Sequence, residues 1–271
     1  QAFGWKLPEF AHLPLLLNPD KSKLSKRQCD TAVEDYIQKG YLPEALVNFV
    51  AFLGWNPGDE REIFSLKELV KEFSLEKAQK AGAVFNLEKL NWYSGMYIRE
   101  LSAKDLGKKL IHFYEKKKLL EKTDSGYAFT QFPGAIPFDE EYFEKGVGLS
   151  QERLKNFEEF YNQSHFFFHE DLEYEKALLT HEKMKVDSAM AKKALEESEK
   201  VLKDLKDWSE EKIKEVLLEL VQKLDVKNGQ VLWPFRAALT GENFSPGAFE
   251  CAEVLGKEQT LKRIKQGLGK L

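Results

Sequence analysis

The sequence predicts a mainly α-helical protein with a few short strands towards its amino terminus. Three observations carry that expectation. Apolar residues recur at spacings of three and four through Ile213, Val216, Leu217, Leu220, Val221 and Leu224, the period that gathers them on one helix face. Pro43 precedes a second such stripe, Ala45, Leu46, Phe49, Val50 and Leu53, and a first-turn proline loses no helical hydrogen bond. Ser245-Pro246 repeats that entry signal with a capping hydroxyl in front of the proline.

In chain order, Phe10 to Leu17 reads as a buried apolar strand leading into a basic loop, Lys21 to Arg27. The helix opened by Pro43 is expected to stop at Gly54 in a left-handed conformation. Between Thr123 and Pro137 the density of Gly, Pro, Ser and aromatic residues fits a loop or small hairpin. Leu195, Leu202, Leu205 and Trp208 suggest a long polar-rich helix packing along a single stripe. Ser209 is an N-cap for the Ile213 helix, with Glu210 and Glu211 in its first turn and an end near Asn228-Gly229. The Ser245 helix closes at Leu255-Gly256, and another starts around Glu258 carrying Lys262, Arg263 and Lys265. Boundaries near Arg99 and Asp171 divide the chain into residues 1–99, 100–171 and 172–271.

With 271 residues there is room for one large domain or two to three small ones. The apolar and charged fractions are those of an ordinary globular protein. No run approaches the roughly 20 apolar residues that span a bilayer, and no secretory signal is visible, so a cytoplasmic protein without a membrane partner is expected. Cys29 and Cys251 match neither a disulfide framework nor a Cys-x-x-Cys metal site. His165 and His169 stand four apart around Phe166, Phe167 and Phe168. A helix end packing its aromatics explains them better than a metal pair, and no zinc site is expected. The net charge of −4 argues against indiscriminate coating of nucleic acid. Basic clusters at Lys21 to Arg27, Lys104 to Lys122 and Lys257 to Lys270 leave a specific binder open.

Lys23-Leu24-Ser25-Lys26-Arg27 is the segment that carries chemistry. Flexible ammoniums can follow phosphoryl oxygens as charge moves during a reaction. By itself such a string is most often an exposed loop, and it lacks the glycines of a Walker loop. Its surroundings change that reading. The segment from Phe10 to Arg27 resembles the second, KMSKS-type signature of class I aminoacyl-tRNA synthetases in its glutamyl form. Gly40 to Asn48, Leu53-Gly54-Trp55, Ala83-Val84-Phe85, Lys89 to Trp92 and Tyr97-Ile98-Arg99 are similar, in order, to the stem-contact region of bacterial glutamyl-tRNA synthetases. Trp233 to Gly241 and Ser245 to Glu250 resemble that family's anticodon-binding end.

The resemblance implies a stem-contact domain followed by an all-α anticodon-binding cage of two subdomains. It implies ATP with Mg2+, glutamate and tRNA(Glu) as reactants and partners, and a monomer. Lys26 is the implied ATP contact that stabilises departing pyrophosphate, with Lys23 secondary and Ser25 shaping the loop. Arg236, Ser245, Pro246, Ala248 and Arg153 are the implied anticodon contacts. Plainer roles compete: a helix cap for Ser245-Pro246, pairing with a helix end or acid for Arg236, and a structural place for Arg153. The resemblance starts only shortly before the loop. The chain is therefore expected to lack the family's first, HIGH-type nucleotide-binding half, which would hold ATP and glutamate, and to be inactive alone. Glutaminyl enzymes share the loop but build their anticodon region from β-barrels, which the helical patterns here oppose. A non-catalytic helical RNA-binding module on the same fold is the alternative.

Overall fold

The computed structural model describes residues 3–10, 12, 14–24, 32–130 and 134–271. It is mainly helical, as the sequence predicts, with two small two-stranded sheets among these residues. Contacts divide the chain into two compact units, Gln1–Glu100 with Lys155–Phe157, and Leu101–Leu154 with Glu158–Leu271. No helix among the described residues is long and apolar enough to cross a membrane.

In the first unit, β1 (Leu16–Leu17) pairs in parallel with β2 (Ala83–Val84). Helices α1 (Val33–Gln38), α2 (Pro43–Gly54), α3 (Leu66–Glu72) and α4 (Leu87–Glu100) complete it. Pro43 is the first residue of α2, which buries Ala45, Leu46, Asn48 and Phe49. Phe49 meets Tyr93 of α4 edge to face, ring centroids 6.1 Å apart. Asn48 is fully buried, with both its amide oxygen and its amide nitrogen hydrogen-bonded. Its Oδ1 accepts from the Phe64 N–H at 2.7 Å and from the Tyr97 hydroxyl at 2.7 Å, and its Nδ2 donates to the Glu62 carbonyl at 2.9 Å. A buried amide with both ends paired fixes one arrangement of the chain around it.

Two expectations fail in this unit. Among the described residues of 10–17 there is no buried strand: Phe10 is 79% and Leu16 39% exposed, and strand pairing is limited to the two-residue ladder of Leu16–Leu17 with β2, beside a single bridge from Leu17 to Lys23. The apolar side chains there lack a covering layer among the described residues. Gly54 is not a left-handed stop, because α2 runs through it and leaves via extended Trp55. Burying Trp55 beside Phe64 and Leu69 requires that extended exit.

The second unit begins with α5 (Ala103–Lys116), the antiparallel hairpin β3 (Leu120–Thr123) and β4 (Gly126–Phe129), α6 (Glu140–Ser150) and α7 (Glu158–Ser164). Ser102 and Asp139 cap α5 and α6, accepting from the N–H groups of Asp105 at 3.0 Å and Tyr142 at 2.7 Å. The hairpin falls where the Gly- and Pro-rich stretch places one. Phe168 is fully buried among Phe129, Phe138 and Phe143, with centroids 5.1, 4.8 and 5.7 Å away. The Phe166–Phe168 run is thus core, and His169 Nε2 lies 2.6 Å from the Tyr161 hydroxyl.

The remainder is a bundle of α8 (Ser188–Lys203), α9 (Glu210–Lys223), α10 (Asn228–Thr240) and α11 (Ala248–Lys270), in which α8, α9 and α10 all contact α11. Gly267 of α11 approaches α10 so closely that a Cβ there would stand 3.1 Å from that of Ala238. α11 is broken at Gly256, whose φ of 75° is left-handed, matching the stop and restart read from Leu255-Gly256. Other boundaries move. α9 ends at Lys223, and Asn228-Gly229 opens α10 rather than closing α9. α8 stops before Leu205 and Trp208; the Trp208 indole N–H instead donates to the Ala252 carbonyl at 2.9 Å. Gly247, not Ser245, is the N-cap of α11, because the Ser245 hydroxyl is engaged elsewhere. Pro234 sits inside α10 and leaves the Gln230 carbonyl without its helical donor.

Arg263 is fully buried in α11. Its guanidinium donates to the carbonyls of Leu239, Phe166 and, at 2.6 Å, His169. Burial pushes its pKa down to about 10, so it remains a cation at neutral pH. Arg263→Met would leave these carbonyls without a donor, each orphan costing about 1–3 kcal/mol, partly offset by removing a desolvated charge. The expected net loss is about 3 kcal/mol by denaturant unfolding. Lys262→Met, at an exposed pair with Glu170, should change stability by less than about 1 kcal/mol; equal effects from the two would contradict this account. Burial, with help from His165 and Arg263, holds His169 below the usual histidine value. The unfolded chain then takes up a proton that the folded chain resists. The stabilisation is full above about pH 6.5 and is lost as pH falls below it. Unfolding free energy measured from pH 7 to 5 should decline, and His169→Gln should flatten that decline.

Candidate nucleic-acid interface

Helix α10 places Trp233 and Arg236 three residues apart, hence on one face. The Arg236 guanidinium lies 4.8 Å from the Trp233 ring centroid, a cation–π stack that orients its plane. Past Gly241 the chain turns back over this face. Arg236 Nη1 donates to Ser245 Oγ at 2.6 Å and to the Glu242 carbonyl at 3.4 Å, and Nη2 to the Asn243 carbonyl at 2.9 Å. These bonds use three of the five N–H donors of a guanidinium, which leaves two among the described residues. Burial depresses its pKa, and Arg153 nearby adds to that. The group stays cationic and keeps a partly desolvated positive charge at the surface.

A hollow of about 420 Å3 opens beside it, lined by Trp233, Arg236, Ala248, Phe249 and Glu250, with Glu210 and Lys214 of α9 opposite. The structure thus brings Arg236, Ser245 and Ala248 together. Ala248 is 8% exposed and Pro246 half-buried, so little more than an apolar edge of either reaches outward. Arg153 ends a short 3-10 turn at Gln151–Arg153. It is half-buried, its Nη2 has no hydrogen-bond partner among the described residues, and burial lowers its pKa. Arg153, Arg236 and Arg263 all act on the Cys251 thiol, yet burial dominates and pushes it up to about 12. That cysteine is inert.

Sequence reasoning missed Phe244. It is 90% exposed between two residues that Arg236 holds, at the tip of the returning segment. An aromatic flanked by Gly241-Glu242-Asn243 and Ser245-Pro246 was the available signal, since loop chemistry on both sides leaves it no core to enter.

In the first unit, Lys23 is exposed and bridges Leu17 across a tight turn. Asn18 organises the turn: its N–H donates to the Ser22 carbonyl, its carbonyl accepts from the Lys21 N–H, both at 2.8 Å, and its Nδ2 donates to Ser22 Oγ at 2.9 Å. Ser25 and Lys26 lie outside the described residues.

Residues 111–268 match the family model of the anticodon binding domain. The chain belongs to that family. Residues 1–92 match the catalytic domain of class I tRNA synthetases (E and Q). The anticodon binding domain here, with its preceding segment, is 42% identical over 272 residues to the glutamate–tRNA ligase of Clostridium botulinum, covering 100% of this chain and 52% of that protein. The Chloroherpeton thalassium glutamate–tRNA ligase is also 42% identical, with 99% and 52% covered. Among solved structures, a glutamate tRNA ligase of Elizabethkingia meningosepticum, in complex with its amino acid, superposes with a TM-score of 0.79 at 31% identity, covering 100% of this chain and 53% of that one. The glutamate-tRNA synthetase of Elizabethkingia anophelis gives 0.75 at 32% identity. The chain spans about half the length of the relatives it matches.

Arg236→Lys should preserve the charge but not the fork. A single ammonium cannot span Ser245 Oγ and two carbonyls in the same geometry. Amide exchange over 242–247 should accelerate while Tm falls by no more than about 4 °C, the shift expected for about 1 kcal/mol in a chain of this size. Unchanged exchange there would show that Arg236 does not hold the segment.

Proposed function

We propose that this chain is the tRNA-recognising part of a glutamate–tRNA ligase, which activates glutamate with ATP and transfers it to tRNA(Glu). The observation that carries the reading is the Arg236 fork. It holds a returning segment against a hollow in a chain of the anticodon binding domain family, and it keeps two donors for a ligand. A planar fork of this kind suits a base edge or a phosphate. Exposed Phe244 offers a stacking face for an unpaired base, the usual mode for single-stranded RNA. Ser245, Pro246 and Ala248 shape the apolar and hydroxyl edge beside it. Arg153 adds positive charge behind Arg236. Residues 100–171 and 172–271 act as the two anticodon-binding subdomains, following residues 1–99 with the lysine loop.

In that loop Lys26 is the ATP contact that stabilises departing pyrophosphate, Lys23 assists, and Ser25 shapes the turn. ATP and glutamate are held by a further part of the protein, and Mg2+ accompanies the nucleotide without a ligand from this chain. The whole acts as a cytoplasmic monomer.

Binding is the direct test. tRNA with a glutamate anticodon should bind more tightly than unrelated tRNAs, and Arg236→Ala should cut that preference by about 10- to 100-fold, the worth of one bidentate base contact. Equal affinity for all tRNAs would favour a non-catalytic helical RNA-binding module. Phe244→Ala should weaken binding to both classes by about 5- to 100-fold, from about 1–3 kcal/mol of stacking. ATP–pyrophosphate exchange by this chain with tRNA present should remain at background; robust exchange would overturn the division of labour.

A further inference from the structure

The hollow beside Arg236 has a continuation. Met184 and Gly229 line it, and the same two residues line a second hollow of about 670 Å3 whose wall carries Lys183, Lys185, Lys227 and Asp225. The two meet across a tight saddle: a Cβ on Gly229 would stand 2.8 Å from the Met184 sulfur. They form one groove with unlike ends. At the Arg236 end, Arg236 and Lys214 are balanced by Glu210 and Glu250. At the other, three ammoniums face one carboxylate.

The lysine end is a built feature rather than a chance cluster. His181 and Val186 exchange backbone hydrogen bonds of 2.8 and 3.0 Å, which closes residues 181–186 into a tight loop and holds Lys185 at a left-handed φ of 56°. Gln230 ties that loop to the start of α10. Its Nε2 donates to the Lys185 carbonyl at 3.1 Å and its Oε1 accepts from the Lys227 N–H at 3.1 Å. Thus one side chain sets the spacing of the two segments that bear the lysines. All three lysines are exposed, and no ion pair or side-chain hydrogen bond engages their ammoniums among the described residues.

We infer that this basic hollow holds backbone phosphates of the RNA whose bases meet Arg236, so that the groove separates phosphate contact from base reading along one strand. The inference rests on the function proposed above. Compact ammoniums attract phosphate without regard to sequence, whereas the charge-balanced end with a planar fork and an aromatic suits bases. The Met184–Gly229 saddle is then the point where the strand passes from one to the other.

The test is the salt dependence of binding to tRNA with a glutamate anticodon, for the parent chain and for the triple variant Lys183→Ala, Lys185→Ala, Lys227→Ala. Each single-strand phosphate contact contributes about 0.7 to the slope of log K against log salt. The triple variant should therefore flatten the slope by about 2, weaken cognate and unrelated tRNAs alike, and leave Tm unchanged. A control with the same charge change, Lys192→Ala, Lys193→Ala, Lys203→Ala on exposed positions of α8, should flatten it far less. An unaltered slope in the triple variant or an equal effect of the control would overturn the inference. A parent chain that still prefers its cognate tRNA would show the proposed function standing without it. A parent that prefers no tRNA would remove both.

Discussion

The second unit depends on one buried cation. Arg263 sits in α11, yet each of its acceptors belongs to another segment: Leu239 near the end of α10, and Phe166 and His169 in the turn after α7. The last carbonyls of a helix have no partner of their own, and a cation there is favoured by the helix dipole. The turn carbonyls, buried among phenylalanine rings, have no water to turn to. A guanidinium is the side chain whose donors diverge enough to serve both, and its desolvation is the cost of joining an aromatic core to a helical bundle.

That knot reaches the surface. Leu239 lies three residues past Arg236 and two before Gly241, so the anchored end of α10 is also the platform from which the returning segment departs. Arg236 works against the same background. It stacks on Trp233, holds the 242–245 backbone, and keeps its charge although burial and Arg153 oppose it. Two arginines with a shared purpose thus behave differently. Arg263 is consumed by carbonyls, whereas Arg236 is half-committed and retains two N–H donors among the described residues. Interaction sites are commonly placed on loops held by rigid elements, and here the residue that holds the loop is also one that lines the hollow beside it.

Helix existence was legible wherever apolar spacing was regular: Pro43 opens α2, the Ile213 stripe forms the buried face of α9, and Gly256 breaks α11. Boundaries were less so. Ser245-Pro246 carries every local sign of a helix start, but the hydroxyl is worth more to the Arg236 guanidinium than to a backbone N–H, and the helix waits for Gly247 and Ala248. Asn228-Gly229 looked like an ending because both residues favour turns; the chain uses them to begin. Phe10 and Leu16 looked buried because they are apolar, although nothing in periodicity says whether a covering layer exists.

The order of residues alone determined the helical class, the main apolar faces, the positions of Pro43 and Gly256, and the resemblance that singled out Arg236 and the lysine loop. Those are properties of local stereochemistry and of short patterns, which survive without knowledge of neighbours. Tertiary structure alone decided that Arg263 is core while Lys262 beside it is surface, that Phe244 stands in solvent, and that lysines 183, 185 and 227 share one hollow. Arg263 is set by carbonyls as far as 97 positions away, and Lys227 shares its hollow with residues more than 40 positions earlier. Even the short-range hold of Arg236 on the segment around Phe244 is invisible to apolar periodicity, because it compares the solvation of a group with partners that the fold selects.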